Sequence, residues 1–200
     1  MKDSLLSILR DKSTNQSQFR KAADKLARLI AAESAGVLGH ETIQIETPLG
    51  PASGYRTIQN IVLIPILRSG IALLPAFLDV FDEAQVGFIG IKRDEATAQP
   101  YQYYESIPEI SENATVFILD PMVATGGSAV AAIKILLNKG ASPSRIFLLG
   151  IIASSQGIDY VLSHFPEVTV KVVAKDKGLN EQKYIVPGLG DFGNRYFGIG

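Results

Sequence analysis

Two hundred residues with 46% apolar content suffice for one α/β domain with a full core. Nineteen basic and 20 acidic side chains leave a net charge of −1, which weighs against a dedicated nucleic-acid or membrane-surface protein, so any anion-binding groups must be local. With no cysteine there is no disulfide, thiolate metal site or thiol nucleophile. The opening MKDSLLSILRDK holds too short an apolar run for a signal peptide, and no stretch approaches the ~18 apolar residues of a membrane span. A soluble, cytoplasmic protein is expected.

Two helices are predicted over residues 1–41. The second has Asn15 at its N-cap and Gln18 three residues on, the reciprocal pattern of a capping box. Phe19, Ala22, Leu26, Leu29 and Ile30 then recur at helical spacing, and Gly36 marks the stop. Residues 42–60 read differently. Ile43 and Ile45 alternate with polar residues, and TPLGPASG is rich in turn formers, which predicts a β-arm. An arm standing off a compact domain needs a partner surface, so a homodimer or higher homo-oligomer is expected.

Over residues 61–175 strand and helix signals alternate. IVLIPI, VGFIGI, TVFILD, RIFLLGIIA and VTVKVVA are short and apolar, as parallel strands buried on both faces are. Helices are predicted over 71–80, 126–139 and 156–164, with Pro75 kinking or shortening the first. The pattern predicts a single α/β domain: an open, mostly parallel sheet with helices on both faces. Ligands of such sheets bind at the carboxyl ends of the strands.

Several stretches at such ends carry chemistry. LIPILRSGIAL puts Arg68 just past a strand, beside Ser69 and Gly70. Its planar fork suits a diphosphate, although a surface arginine at a turn would read the same way. FILDPMVATGGSAVAAI places Asp120 at a strand end and Thr125, Gly126, Gly127 and Ser128 where a helix begins. Unpaired N–H groups of a first helical turn, glycines that admit a close approach and hydroxyl donors together make a phosphate cradle. Thr-Gly-Gly alone is also an ordinary turn and cap; the strand and its terminal acid tip the reading toward the cradle. The stretch is not a nucleoside-triphosphate P-loop, because the G-x-x-x-x-G-K-[ST] spacing and its lysine are missing. Residues 94–103 are polar, contain Pro100 and read as a flexible loop, with Tyr101, Tyr103 and Tyr104 as loop packing. In the tail, Gly188, Gly190 and Gly193 spell G-x-G-x-x-G, but only seven residues follow, too few for the βαβ unit a dinucleotide site requires. His40 and His164 belong to no motif and are expected at the surface.

These motifs, in this order from about residue 60 onward, resemble those of the uracil phosphoribosyltransferases, a branch of the type I phosphoribosyltransferases. DPMVATGGS is similar to the branch's signature for phosphoribosyl diphosphate (PRPP), with Pro121 where most type I members carry a second acid. LIPILRSG is similar to the branch's PILRAG loop, and YIVPGLGDFGNRYFG resembles its uracil-binding segment. The resemblance implies transfer of 5-phosphoribosyl from PRPP to N1 of uracil, forming UMP and diphosphate. It implies Mg²⁺ held mainly by PRPP and water, with no nucleic-acid or membrane partner. PRPP contacts are implied at Arg68, Arg93, Asp120, Pro121, Met122, Val123, Ala124, Thr125, Gly126, Gly127, Ser128 and Asp191. Uracil contacts are implied at Ile185, Gly190, Asp191 and Phe192, and catalytic roles at Asp120, Asp191 and Arg93. Residues 61–175 would then be a PRPP-binding core and 176–200 a uracil-binding tail. Asp176 and Asn180 are expected to support the fold, and Lys92 to add charge near the diphosphate.

The chain departs from the family pattern at a few places. Ser154, Ser155, Gln156 and Gly157 replace APEG, Asn194 replaces an acid, and Ile199 ends YFG where threonine is usual. Asn194 and Ile199 are expected near the base site, where they would alter turnover. Some relatives are activated by GTP, which the resemblance leaves open here. Two other readings are a homologue that binds without turnover and an RNA-binding regulator on the same fold. Pro121 and the near-neutral charge argue against the regulator.

Overall fold

The computed structural model describes residues 1–58, 60–93 and 100–199, with the backbone alone described at 93 and 100. Helices α1 (Lys2–Arg10) and α2 (Gln16–Ser34) open the chain. The Asn15 side chain accepts the Gln18 N–H at 3.0 Å and the Gln18 side chain accepts the Asn15 N–H at 3.3 Å, so the capping box forms as its spacing predicts. Phe19, Ala22, Leu26 and Ile30 are buried along one face of α2, with Leu29 at its margin. The stop at Gly36 falls within a 3₁₀ turn, Ala35–Val37.

Strands β1 (His40–Thr47) and β2 (Gly50–Thr57) form the predicted arm, starting two residues before 42. They pair antiparallel from His40↔Thr57 to Thr47↔Gly50 and make a two-stranded sheet of their own. Most of the hairpin is exposed.

The core follows as β3 (Ile61–Leu67), α3 (Leu74–Leu78), β4 (Gln85–Val86), β5 (Phe88–Arg93), β6 (Pro100–Ser106), β7 (Thr115–Leu119), β8 (Met122–Val123), α4 (Gly127–Asn138), β9 (Ile146–Ser154), α5 (Ser155–His164) and β10 (Thr169–Asp176). The sheet runs β10-β9-β7-β3-β5-β6, with β4 beside β3 and β8 beside β9. Every pairing is parallel except β5 with β6. Side chains alternate between two cores, as the two-residue period of a strand requires. Leu63, Phe117 and Leu149 face the layer holding α1, α2 and α3. Val62, Ile64, Val116, Ile118 and Leu148 face α4 and α5. This double burial is why the strands read as unbroken apolar runs.

Two expectations need correction. The helix expected over 71–80 is only Leu74–Leu78, preceded by a 3₁₀ turn over Ser69–Ala72. Pro75 lies in its first turn, where a missing N–H is harmless, so the helix is shortened to begin beside it and is not kinked. The loop expected over 94–103 gives way to strand from Pro100, which pairs with Arg93. Residues 94–99 lie outside the described residues.

The tail comprises β11 (Gly178–Leu179), β12 (Ile185–Val186) and α6 (Phe192–Phe197). Helix α6 docks on the N-terminal helices: the Phe192 ring lies 5.3 Å from Phe19, and the Arg195 guanidinium stacks over Phe19 at 4.4 Å. Arg195 also donates to the carbonyls of Leu9, Asp11 and Leu189. Among the described residues no helix is long and apolar enough to cross a membrane.

Candidate active site

The carboxyl ends of β3 and β7 lie side by side. A Cβ on Gly70 would stand 2.3 Å from the Leu119 carbonyl oxygen, so only glycine lets the turn after β3 close against β7. That turn carries Arg68, exposed, and the Leu67–Arg68 peptide is cis. One residue past β7, Asp120 is 8% exposed. It accepts the Met122 N–H at a long 3.4 Å on Oδ1. Burial with so little compensation pushes its carboxyl up to about 7.

Pro121 accounts for the exit from the strand. Its carbonyl accepts the N–H groups of Ile151 and Ile152, both at 3.0 Å, tying the turn to β9. The residue is buried, and proline has no N–H to leave unsatisfied there. After β8 the chain passes through Ala124 and Thr125 to Gly126, whose φ of +78° suits glycine, and enters α4 at Gly127. The Thr125 hydroxyl accepts the Gly127 N–H at 3.4 Å. Ser128 follows in the first turn of α4, where backbone N–H groups point out of the helix.

The opposite wall comes from the tail. Asp176 accepts two hydrogen bonds from Arg10, at 2.6 and 2.8 Å, and a third from the Gly188 N–H at 2.8 Å. Arg10 also donates to the Gly188 carbonyl at 2.8 Å. This pair fixes the turn between β12 and α6. The Asn180 side chain accepts the Tyr184 N–H at 2.8 Å and closes the β11–β12 turn. Asp176 and Asn180 therefore support the fold, as expected. Asp191 is the N-cap of α6, its Oδ1 accepting the Asn194 N–H at 2.6 Å.

Between the two walls lies a cavity of about 890 Å³. Arg68, Asp120, Met122, Ala124 and Ser128 line it on the sheet side, and Ile185, Gly190, Asp191 and Phe192 on the tail side. Pro121 and Val123 are buried behind it. Thr125, Gly126 and Gly127 carry the backbone from Ala124 into α4. Arg93 ends β5 at the same sheet edge, and its side chain lies outside the described residues.

Residues 2–199 match the family model for uracil phosphoribosyltransferase. The chain belongs to the uracil phosphoribosyltransferase family. It is 41% identical over 194 residues to the uracil phosphoribosyltransferase of Halalkalibacterium halodurans, covering 96% of this chain and 92% of that one. The AQ2163 protein from Aquifex aeolicus superposes with a TM-score of 0.90 at 32% identity, over 99% of this chain and 94% of that chain. A hypoxanthine-guanine phosphoribosyltransferase from Bacillus anthracis, at 10% identity and a TM-score of 0.50 over 80% of each chain, shares the fold alone.

Within this uracil phosphoribosyltransferase family member, two expectations change. Asn194 and Ile199 do not line the cavity: Asn194 is an exposed residue of α6, and Ile199 is exposed beyond it. Tyr101 and Tyr103 line the cavity instead of packing within a loop. The β5–β6 register shifts at Gly90/Ile91, and a Cβ on Gly90 would approach the Tyr103 ring to 2.7 Å. Bulge and glycine together aim that ring. Sequence reasoning also missed Gln182, Lys183 and Tyr184, which line the tail side. Their only signal is that they belong to the turn Asn180 closes. Lys92 lines the sheet side, while His40 and His164 are exposed and outside the cavity lining.

Proposed function

We propose that the protein transfers the 5-phosphoribosyl group of PRPP to N1 of uracil, releasing diphosphate and forming UMP. One observation carries this reading. A single cavity joins a strand-end acid and arginine, a glycine loop opening a helix, and a tail of backbone-rich turns. The loop from Ala124 to Ser128 receives the 5-phosphate on helix N–H groups and hydroxyls. Asp120 accepts hydrogen bonds from the ribose hydroxyls, and Arg68 and Arg93 hold the diphosphate. Ile185, Gly190 and Phe192 meet the base. Uracil presents two carbonyls flanking an N–H, and cytosine, with an amine in place of one carbonyl, would set donor against donor.

The C1–N1 bond forms as the bond from C1 to the diphosphate oxygen breaks, and the N1 proton is released to solvent water. Charge shifts from the ribose to the leaving diphosphate, so positioning and electrostatic stabilisation supply the rate. Asp191 stands beside base and PRPP, already held by the Asn194 N–H. Mg²⁺ fits a donor set of this kind as an ion carried mainly by PRPP oxygens and water. Among the described residues no cluster of three or more histidines and acids could cage it. When bound it neutralises leaving-group charge.

The test supplies PRPP, Mg²⁺ and each common nucleobase in turn. UMP from uracil, and no nucleotide from cytosine or the purines, is the expected result; PRPP binding without product from any base would refute it.

A homodimer joined through the β1–β2 arm belongs to the same reading. The arm offers Leu49, wholly exposed, with Ile45 and Tyr55 also at its surface. Sedimentation should give a dimer that Leu49→Asp with Tyr55→Asp weakens, and a monomeric wild type would exclude it.

A further inference from the structure

Ser154 stands where β9 gives way to α5, with no solvent exposure. Its hydroxyl donates to the Ala124 carbonyl at 2.5 Å and accepts the Gly157 N–H at 2.8 Å. The second bond is an ordinary N-cap for α5. The first reaches 30 residues back, to a residue that lines the cavity. Loop and helix are also pressed together. A Cβ on Gly157 would lie 2.4 Å from that same Ala124 oxygen, and one on Gly126 would lie 2.6 Å from the Gly157 oxygen. Two glycines thus permit the contact, and one hydroxyl fastens it. In a planar trans peptide the carbonyl and the following N–H point in opposite directions. Drawing the Ala124 carbonyl toward α5 therefore turns the Thr125 N–H away from α5.

We propose that Ser154 is a positioning residue for this site: by fixing the Ala124–Thr125 peptide plane it sets the N–H array that receives a sugar 5-phosphate. The inference rests on the reading of this loop as the PRPP phosphate cradle. A hydroxyl that touches no substrate then tunes affinity for the phosphorylated sugar and leaves the base untouched. It also makes α5 a structural part of the cradle, which α4 alone would not complete.

Calorimetric titration with ribose 5-phosphate tests this without requiring turnover. Wild type is compared with Ser154→Ala, Ser154→Gly and Asn15→Ala. Glycine is nearly as good an N-cap as serine and alanine is poor, so the two Ser154 variants differ in helix capping but lose the same tether. Both should bind ribose 5-phosphate about fivefold to tenfold more weakly than wild type, the size of one neutral hydrogen bond. Asn15→Ala, which removes a cap on α2 instead, should bind as wild type does. The KM for PRPP should follow the same order, with the KM for uracil unchanged. Wild-type affinity in both Ser154 variants overturns the proposal, as does a loss confined to Ser154→Ala, which would trace to capping. Absence of any binding by wild type overturns the phosphate-cradle reading beneath it.

Discussion

Asp120→Asn should lower kcat by about 10²–10³ and, at pH 8, raise the melting temperature. The two effects have one origin. The carboxylate is buried, with a single long hydrogen bond among the described residues, from the Met122 N–H, and its pKa rises from 3.8 to about 7. The native state therefore binds this proton more tightly than the unfolded chain does. Stability consequently falls as pH rises from about 4 to about 7 and stays reduced above that. Three units correspond to roughly 4 kcal/mol as an upper bound. Asparagine is neutral at every pH and escapes this penalty, so the variant should melt several degrees higher at pH 8, with the gap closing by pH 4. Ribose hydroxyls would supply the donors the free carboxylate lacks, which is why the charge helps the bound state and harms the empty one. Thermal melts at both pH values, paired with initial rates, read the two halves separately. A variant that keeps wild-type turnover would remove Asp120 from its catalytic role, and one that melts identically to wild type at pH 8 would remove the burial penalty.

Much of the fold was legible because its signals are local. The central strands lie between two helical layers, so each appears as a solid apolar run, and all five predicted runs are strands. The capping box at Asn15 and Gln18 spans three residues and formed as spaced. The phosphate loop was readable for the same reason, since strand, acid, glycines and helix start are contiguous. What escaped depended on distant partners. Tyr101 is placed by its pairing with Lys92 of β5, and Tyr103 falls at the register shift beside Gly90, a bulge that no sequence pattern marks. Ser154 stands out in the sequence only as one small residue in place of another in an APEG-like stretch, and its bond to Ala124 needs the fold. Asn194 stays beside the site through its N–H bond to Asp191, but neither it nor Ile199, beyond α6, lines the cavity.

The tail depends most on the fold as a whole, and Asp176→Ala should expose that dependence: uracil KM rises at least tenfold while ribose 5-phosphate still binds. Asp176 and Arg10 are 166 residues apart and form a two-pronged pair. Between them they satisfy both backbone groups of Gly188, whose φ of +63° turns the chain from β12 toward α6. A Cβ at Gly188 would lie 2.0 Å from the Ile185 oxygen, so this turn cannot be rebuilt with another residue. Arg10 holds the Asp176 carboxyl below its usual value, so the pair's contribution is present above about pH 4 and is lost as acid protonates Asp176. Removing the carboxylate strands a partly buried guanidinium and the Gly188 N–H, at a cost of about 2 kcal/mol. The turn that presents Ile185 and Gly190 then loosens, whereas the loop from Asp120 to Ser128 keeps its own bonds to β9 and α5. Asp176→Asn, which can still accept the Gly188 N–H, should fall between wild type and alanine in both stability and uracil KM. Equal loss of uracil and ribose 5-phosphate binding would mean that the two walls fold as one unit; an unchanged uracil KM would mean that the tail does not read the base.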